Sequence, residues 1–386
     1  MRKFFKGICF ILGAGCCVAV FMLFAQHVKS GGTTASEKTG LDILSVSGQP
    51  DIGSETESES VSYYVYSQLT EEEQTIYREL FDGIQNMEEQ FAVSSKDKEQ
   101  VERIYSALLS DHPELFWVSG YTITFYAWAN TIQSIEIQPD YVMSREKRDE
   151  NQLLIDDKTS LILEEARQFD NEYEQAKFLY EYLIDMTEYD LNAPNNQNIL
   201  SVLLTNRSVC MGYAKAYQYL AQLLGMECVT VTGEAGGESH AWNLLNMEGD
   251  YYYVDTTWGD PSFNAELDGV GNINYLYLGM NTEDLERTHE DNVWYALPEC
   301  TADRCNFYIR SGLAFESFQQ NTIGELIRRT KEIGEPYVTF RFLNEGAYES
   351  ALEHLISENH IFDYYDGTSL NYRQDDTYWM LTIYYD

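Results

Sequence analysis

Apolar positions become periodic only after residue 62. Tyr63 to Tyr66 lead into LTEEEQTIYRELFDGI, where Ile76, Tyr77, Leu80, Phe81 and Ile84 share one helical face and Thr70 and Glu73 have capping-box spacing. A second helix carries Val101, Ile104, Tyr105, Leu108 and Leu109 and stops before His112-Pro113, where the histidine reads as a turn residue. Residues 115 to 138 alternate as two strands joined near Ala129-Asn130, and a polar helical stretch follows over roughly 144 to 168. The next helix is expected to open at Asp170 and to bury Tyr173, Ala176, Leu179, Tyr180, Leu183 and Ile184.

The most informative pattern lies between residues 208 and 258. Tyr213, Ala216, Tyr217, Leu220, Leu223 and Leu224 form an apolar helical stripe that ends at Gly225, with Ser208 or Asn206 as the expected cap. Cys210 then falls in the first turn, where unpaired amides and the helix dipole favour a thiolate and can also donate to an oxyanion. Cys228 to Thr232 read as a strand, Gly233 to Gly237 as a flexible loop, and HAWNLLNMEGDYYYVDTT as a hairpin. A four-residue loop at 246 to 249 sets Leu245 against Asp250, and in that register His240 faces Asp255 directly. A nucleophile, a base and an orienting acid therefore occur in order within about fifty residues, the set that nucleophilic acyl transfer requires.

From about residue 306 the tail has a pattern of its own: a helix capped at Thr322 with Glu325 at box spacing, the strand YVTFRF, the helix AYESALEHLI, and a hairpin around Asp375-Asp376. At the other end, MRKFFK precedes the uncharged apolar run Gly7 to Ala25, nearly long enough to cross a bilayer. It reads as an uncleaved anchor, with a cleaved signal peptide as the alternative, and either exports the remainder. Residues 29 to 60 are rich in Ser, Gly, Thr and Glu and read as a flexible tether.

Charge narrows the function classes. The first 30 residues carry four basic residues (Arg2, Lys3, Lys6, Lys29) and no acid, leaving 21 basic against 63 acidic residues in the rest, a net of −42. That balance opposes binding to nucleic acid and to anionic membrane surfaces. Of seven cysteines, Cys9, Cys16 and Cys17 lie in the apolar run, and Cys210, Cys228, Cys300 and Cys305 show no zinc spacing. Cys228 reads as a small core residue, and Cys300 with Cys305 could close a short disulfide loop. His354 and His360, without partners at ligand spacing, read as surface residues, so neither a metal nor another cofactor is expected.

Three blocks, VCMGYAKAYQYLAQLLGM, VTGEAGGESHAWN and YYYVDTTWGDP, resemble the transglutaminase-like superfamily of papain-type cysteine enzymes over about residues 170 to 262. The resemblance implies Cys210 as nucleophile, His240 as general base and acid, and Asp255 as orienting acid. It further implies that Trp242 and Trp258 shape the substrate cleft. Tyr189 and Gln197 are candidate side-chain oxyanion donors, Tyr189 also being a cleft candidate, and His289, outside the blocks, is expected to be structural. PELFWV, the YLYLGMN segment and LPEC resemble exported, membrane-tethered members of Gram-positive bacteria. Calcium dependence is not implied.

The expected fold is α+β: a papain-like core in which the cysteine helix packs on an antiparallel sheet, with an N-terminal α/β region and a small C-terminal α/β domain. The expected segments are 1–28 (signal-anchor or signal peptide), 29–60 (linker), 61–145 (N-terminal region), 146–305 (catalytic core) and 306–386 (C-terminal domain). The expected function is a cell-surface cysteine hydrolase or acyltransferase acting on amide bonds of peptides or proteins, anchored or secreted. The alternative is an inactive fold serving as a cell-surface binding or scaffold protein.

Overall fold

The computed structural model describes residues 62–128, 131–263, 273–365 and 369–385. The expected anchor (1–28), the tether (29–60) and the Ala129-Asn130 turn lie outside the described residues. Among those described, no helix is long and apolar enough to cross a membrane. Two compact units are present, 1–150 and 151–386.

In the first unit, helices α1 (Glu71–Gln85) and α2 (Lys98–Asp111) accompany an antiparallel sheet of β1 (Phe91–Val93), β2 (Val118–Trp128) and β3 (Thr131–Tyr141), ordered β1-β3-β2. Thr70 and Glu73 form the expected capping box. Buried Asp111 accepts from the amides of Val65 (2.9 Å) and Tyr66 (2.8 Å) and from the Tyr77 hydroxyl (3.0 Å). Burial nevertheless pushes its carboxyl up to about 6. The polar helix α3 (Arg145–Ala166) contains the boundary between the units.

The second unit is built on the five-stranded antiparallel sheet β10-β6-β7-β8-β9, comprising β6 (Cys228–Ala235), β7 (Glu238–Met247), β8 (Asp250–Val254), β9 (Leu278–Met280) and β10 (His289–Asp291). Helices α4 (Glu172–Met186), α5 (Ile199–Thr205) and α6 (Cys210–Leu223) precede it, with the short strands β4 (Glu188–Tyr189) and β5 (Arg207–Ser208) between them. Helix α6 packs on β6 and β7, burying Tyr213, Tyr217 and Leu220. Polar bolts add to this apolar contact. Gln218 Oε1 accepts from the Thr230 amide (3.1 Å) and hydroxyl (2.7 Å), and Asn243 Nδ2 donates to Ala214 O (3.0 Å). Paired buried polar groups of this kind fix the rotation of the helix on the sheet in a way apolar contact alone does not.

Several local expectations are corrected. The cap of α4 is Asn171, whose side chain accepts from the Glu174 amide, rather than Asp170. The segment before the cysteine is not all loop, because α5 forms there and ends at Asn206 in the left-handed conformation (φ 57°). Asn206 therefore closes one helix instead of opening the next. Ser208 is equally committed, its Oγ 2.6 Å from Ser201 Oγ, and Val209 occupies the cap of α6 without a side-chain bond. The expected flexible loop at 233 to 237 is mostly strand, since β10 pairs with β6 and orders it through Ala235. Cys300 and Cys305 are free thiols, each buried among different neighbours: Cys300 beside Thr282, Cys305 beside Glu248 and Arg310.

The tail forms a four-stranded sheet ordered β11-β12-β14-β13, from β11 (Ala314–Phe315), β12 (Tyr337–Phe342), β13 (Asn371–Asp375) and β14 (Met380–Tyr384). Helices α10 (Gln320–Glu332) and α11 (Glu345–Leu352) supply Ile323, Ile327 and Ala351 to a core completed by Phe340, Phe342 and Leu381. Helix α10 starts two residues before Thr322, from Gln319 without a side-chain cap. The short α8 (Thr282–Leu285) and α9 (Phe307–Arg310) precede this sheet, and Arg341 of β12 reaches back to Asp284 of α8 with both carboxylate oxygens in range (2.5 and 2.6 Å).

Candidate active site

Cys210 is the first residue of α6 and is half-buried. Its turn is seated by Gly212, where a Cβ would lie 1.9 Å from Ser208 Oγ and 2.7 Å from Ser201 Oγ. The side chain of Val209 contributes no cap, and the Gly212 and Tyr213 amides bond back to Val209 O. The Cys210 and Met211 amides occupy the first two helical positions, which have no intrahelical acceptor and suit an anion.

The hairpin that carries the other two residues differs from the expected one. Met247 pairs with Asp250, so the loop is the two residues Glu248-Gly249, with φ of 54° and 87°. Both values are left-handed, as in the tight hairpin turn whose twist matches that of its strands. The ladder is thereby shifted by two positions from the expected register. Its last pair is Asn243 with Val254, and Asp255 leaves the strand to cap α7 (Thr256–Gly259), its Oδ1 accepting from the amides of Thr257 (2.9 Å) and Trp258 (3.1 Å). A shift of two preserves the sheet face, because side chains alternate with period two. His240 and Asp255 are therefore diagonal neighbours, with His240 Nε2 2.7 Å from Asp255 Oδ2.

Both side chains are buried, and His240 also interacts with the Cys210 thiol. With Nε2 engaged by the carboxylate, Nδ1 is the nitrogen left for the sulfur. Burial alone would depress the imidazole, but the adjacent Asp255 carboxylate outweighs it and pushes His240 up to about 10. Conversely, burial would raise Asp255, and the charge and hydrogen bond of His240 with the bond from His289 hold it well below the usual carboxylate range.

His289 is the residue that sequence reasoning placed outside the site. Its Nε2 lies 3.1 Å from Asp255 Oδ2, and its side chain is fully buried. The signal that could have found it is the pairing of β10 with β6, opposite Ala235, a contact that no local pattern in the sequence announces. The other histidines behave differently. His354 stacks on His360 (centroids 4.3 Å apart, planes 15°) with Glu358 nearby, so, contrary to expectation, the pair does have neighbours of ligand type.

Of the cleft candidates, Trp242 is fully buried and stacks beneath His240 (centroids 6.1 Å, 21°), so it supports the imidazole and does not line a cleft. Trp258 and Tyr189 are half-buried, and Phe263, which was not foreseen, bridges them with centroid distances of 6.5 and 4.7 Å and lies 6.5 Å from His240. These aromatic rings border the imidazole. Gln197 donates to Asn196 Oδ1 (3.0 Å), while Tyr189 pairs with Ser208 in the short β4–β5 ladder, two residues from Cys210.

The family model of the transglutaminase-like superfamily matches residues 163–256, a span that contains Cys210, His240 and Asp255. Over this segment the chain is similar to the transglutaminase-like superfamily. The chain also has local sequence similarity to kyphoscoliosis peptidase. The Homo sapiens protein is 28% identical over 122 residues, 27% of this chain and 18% of that protein, and the Mus musculus protein 28% over 115 residues, 25% and 17%. The chain thus spans less than a fifth of these curated relatives. Among solved structures, a TGase is similar over 36% of this chain and 44% of that one (16% identity, TM-score 0.27). The periplasmic domain of TgpA from Pseudomonas aeruginosa is similar over 33% and 56% (16% identity, TM-score 0.24).

Proposed function

We propose that this protein is a cysteine enzyme that acts on amide bonds of peptides or proteins through an acyl-enzyme, with Cys210 as nucleophile, His240 as acid and base, and Asp255 as the orienting acid. The observation that carries the reading is the position of His240, bonded to buried Asp255 at 2.7 Å and influenced by the thiol of Cys210 at the start of α6. Cys210 Sγ attacks the carbonyl carbon, and the carbonyl electron pair moves onto oxygen, where the Cys210 amide can donate to it. His240, which the adjacent Asp255 carboxylate keeps protonated at neutral pH against the opposing effect of burial, gives its proton to the departing amine as the C–N bond breaks. Water or an amine then attacks the thioester, His240 takes the proton of the incoming group, and Cys210 is released.

Hydrolysis is the favoured outcome and transamidation the competing one, because the acceptor is decided by what reaches the thioester. The half-buried Tyr189, Trp258 and Phe263 form the wall against which a substrate would lie. We place the enzyme on the extracellular side of the plasma membrane, held by Gly7 to Ala25 or secreted, as the N-terminal pattern suggests. The acidic surface favours substrates rich in Lys or Arg, captured faster at low salt. Mass spectrometry of a bacterial surface peptide mixture, with and without an added primary amine, tests the reading. Mass changes from cleavage or amine incorporation that persist in Cys210→Ala would sink it.

A further inference from the structure

Asp255 carries more partners than orienting one imidazole requires. Its Oδ1 is filled by two amides, and its Oδ2 is shared by His240 and His289. Behind His289 the line continues: His289 Nδ1 is 2.8 Å from Thr288 Oγ1, which is 2.8 Å from the Tyr378 hydroxyl. We propose that His289, Thr288 and Tyr378 form a hydrogen-bonded line that positions Asp255, making the hairpin turn of the C-terminal sheet a working part of the active site.

The chemistry of the groups sets the direction of the line. An ionised carboxylate only accepts, so His289 must present Nε2–H to Asp255. In the neutral ring Nδ1 then accepts from the Thr288 hydroxyl, and Thr288 oxygen accepts from Tyr378 O–H. Every donor points toward the carboxylate, the arrangement in which consecutive hydrogen bonds strengthen one another. Tyr378 is suited to the far end, since burial pushes its phenol up to about 12 and keeps it a donor.

The turn that presents Tyr378 is itself fixed. Asp375 Oδ1 accepts from the amides of Thr377 (3.0 Å) and Tyr378 (3.1 Å), and Arg287, next to Thr288, donates to Thr377 O (2.7 Å) while lying over the Trp379 ring at 4.7 Å. Thr288 O accepts from the Gly236 amide (3.0 Å), which ties the line to the turn between β6 and β7. Without His289, Oδ2 keeps one partner, and the carboxylate is freer to turn away from His240.

The proposal rests on the catalytic reading of Cys210, His240 and Asp255, and its test separates the two. The full chain is labelled with iodoacetamide at neutral pH and Cys210 alkylation is followed by peptide mass spectrometry, with thermal melting of each variant as a folding check. His240→Ala should abolish fast labelling. His289→Leu should slow it roughly tenfold, as loss of a hydrogen bond to a charged group predicts, and Tyr378→Phe, which keeps the ring, should slow it about threefold. His289→Gln, which keeps an N–H donor, should restore most of the rate. The proposal is overturned if His289→Leu and Tyr378→Phe stay within about twofold of the native rate while His240→Ala does not. It is equally overturned if His289→Gln is no better than His289→Leu. Native-like labelling of His240→Ala would remove the catalytic reading and this proposal with it.

Discussion

His240 Nε2 stands 2.7 Å from Asp255 Oδ2 although the two residues are not paired across the hairpin. Continued past Asn243 and Val254, the ladder would set Asp255 against Trp242, two positions from His240 and on the same face. The contact depends on Asp255 leaving the strand to cap α7. Asp255→Asn should keep the fold but can offer an N–H where His240 needs an acceptor, favouring the wrong imidazole tautomer. The expected loss in turnover is about 10³- to 10⁴-fold, measured on whichever peptide the mass-spectrometric screen yields.

The same pair predicts a pH dependence of stability. His240 is raised from 6.5 to about 10 in the folded protein, so its contribution is complete below 6.5 and is lost as pH rises through 10. Asp255 is lowered from 3.8, so its contribution is present above 3.8 and declines only as pH falls below that value. The melting temperature of the native protein minus that of His240→Gln should therefore shrink steadily from pH 6.5 to 10. A difference that grows over that range would contradict the charge arrangement.

Thiol reactivity should be selective. Burial raises Cys228 well above its ordinary value, pushes Cys300 up to about 11 and also raises Cys305, whereas Cys210 is half-exposed. Among these four, only Cys210 should be alkylated in the native protein at neutral pH, and the others only after denaturation. Peptide mapping after a timed iodoacetamide pulse reads this directly.

Gly212→Ala should displace Cys210. The added Cβ meets two buried serine oxygens at 1.9 and 2.7 Å and Asn196 O at 3.0 Å, so the first turn of α6 must move. A loss of about 1–3 kcal/mol in stability is expected from overpacking, with slower Cys210 labelling than in the native protein. Chemical denaturation and the iodoacetamide pulse measure the two effects.

Arg341→Met should be more damaging than its distance from the chemistry suggests. It would leave Asp284, 3% exposed, as a buried carboxylate without the guanidinium that spans both its oxygens. Removing one partner of a buried pair costs about 3–5 kcal/mol, and the double variant Arg341→Met with Asp284→Leu should recover much of it. Urea midpoints of the single and double variants give the comparison.

Much of this protein was determined by local pattern. The apolar stripe from Tyr213 to Leu224 defined the helix that carries Cys210, and the hairpin pattern defined the strand carrying His240 and the strand that ends just before Asp255. Two regular periods and a short loop were enough to put the imidazole and carboxylate on one sheet face, and even a two-position error in register left that face unchanged. What only the tertiary structure decided were contacts between segments far apart in the chain. These include His289 reaching Asp255 through β10, Trp242 buried beneath His240, and Tyr378 meeting Thr288 across 90 residues. Cap choice was also out of reach, because Asn206 and Ser208 are equally good caps in isolation, and one was taken by the end of α5 and the other by Ser201. The physical reason is common to all of these: periodicity records which face of an element is buried, while the partner on that face is chosen by packing and hydrogen-bond satisfaction over the whole unit.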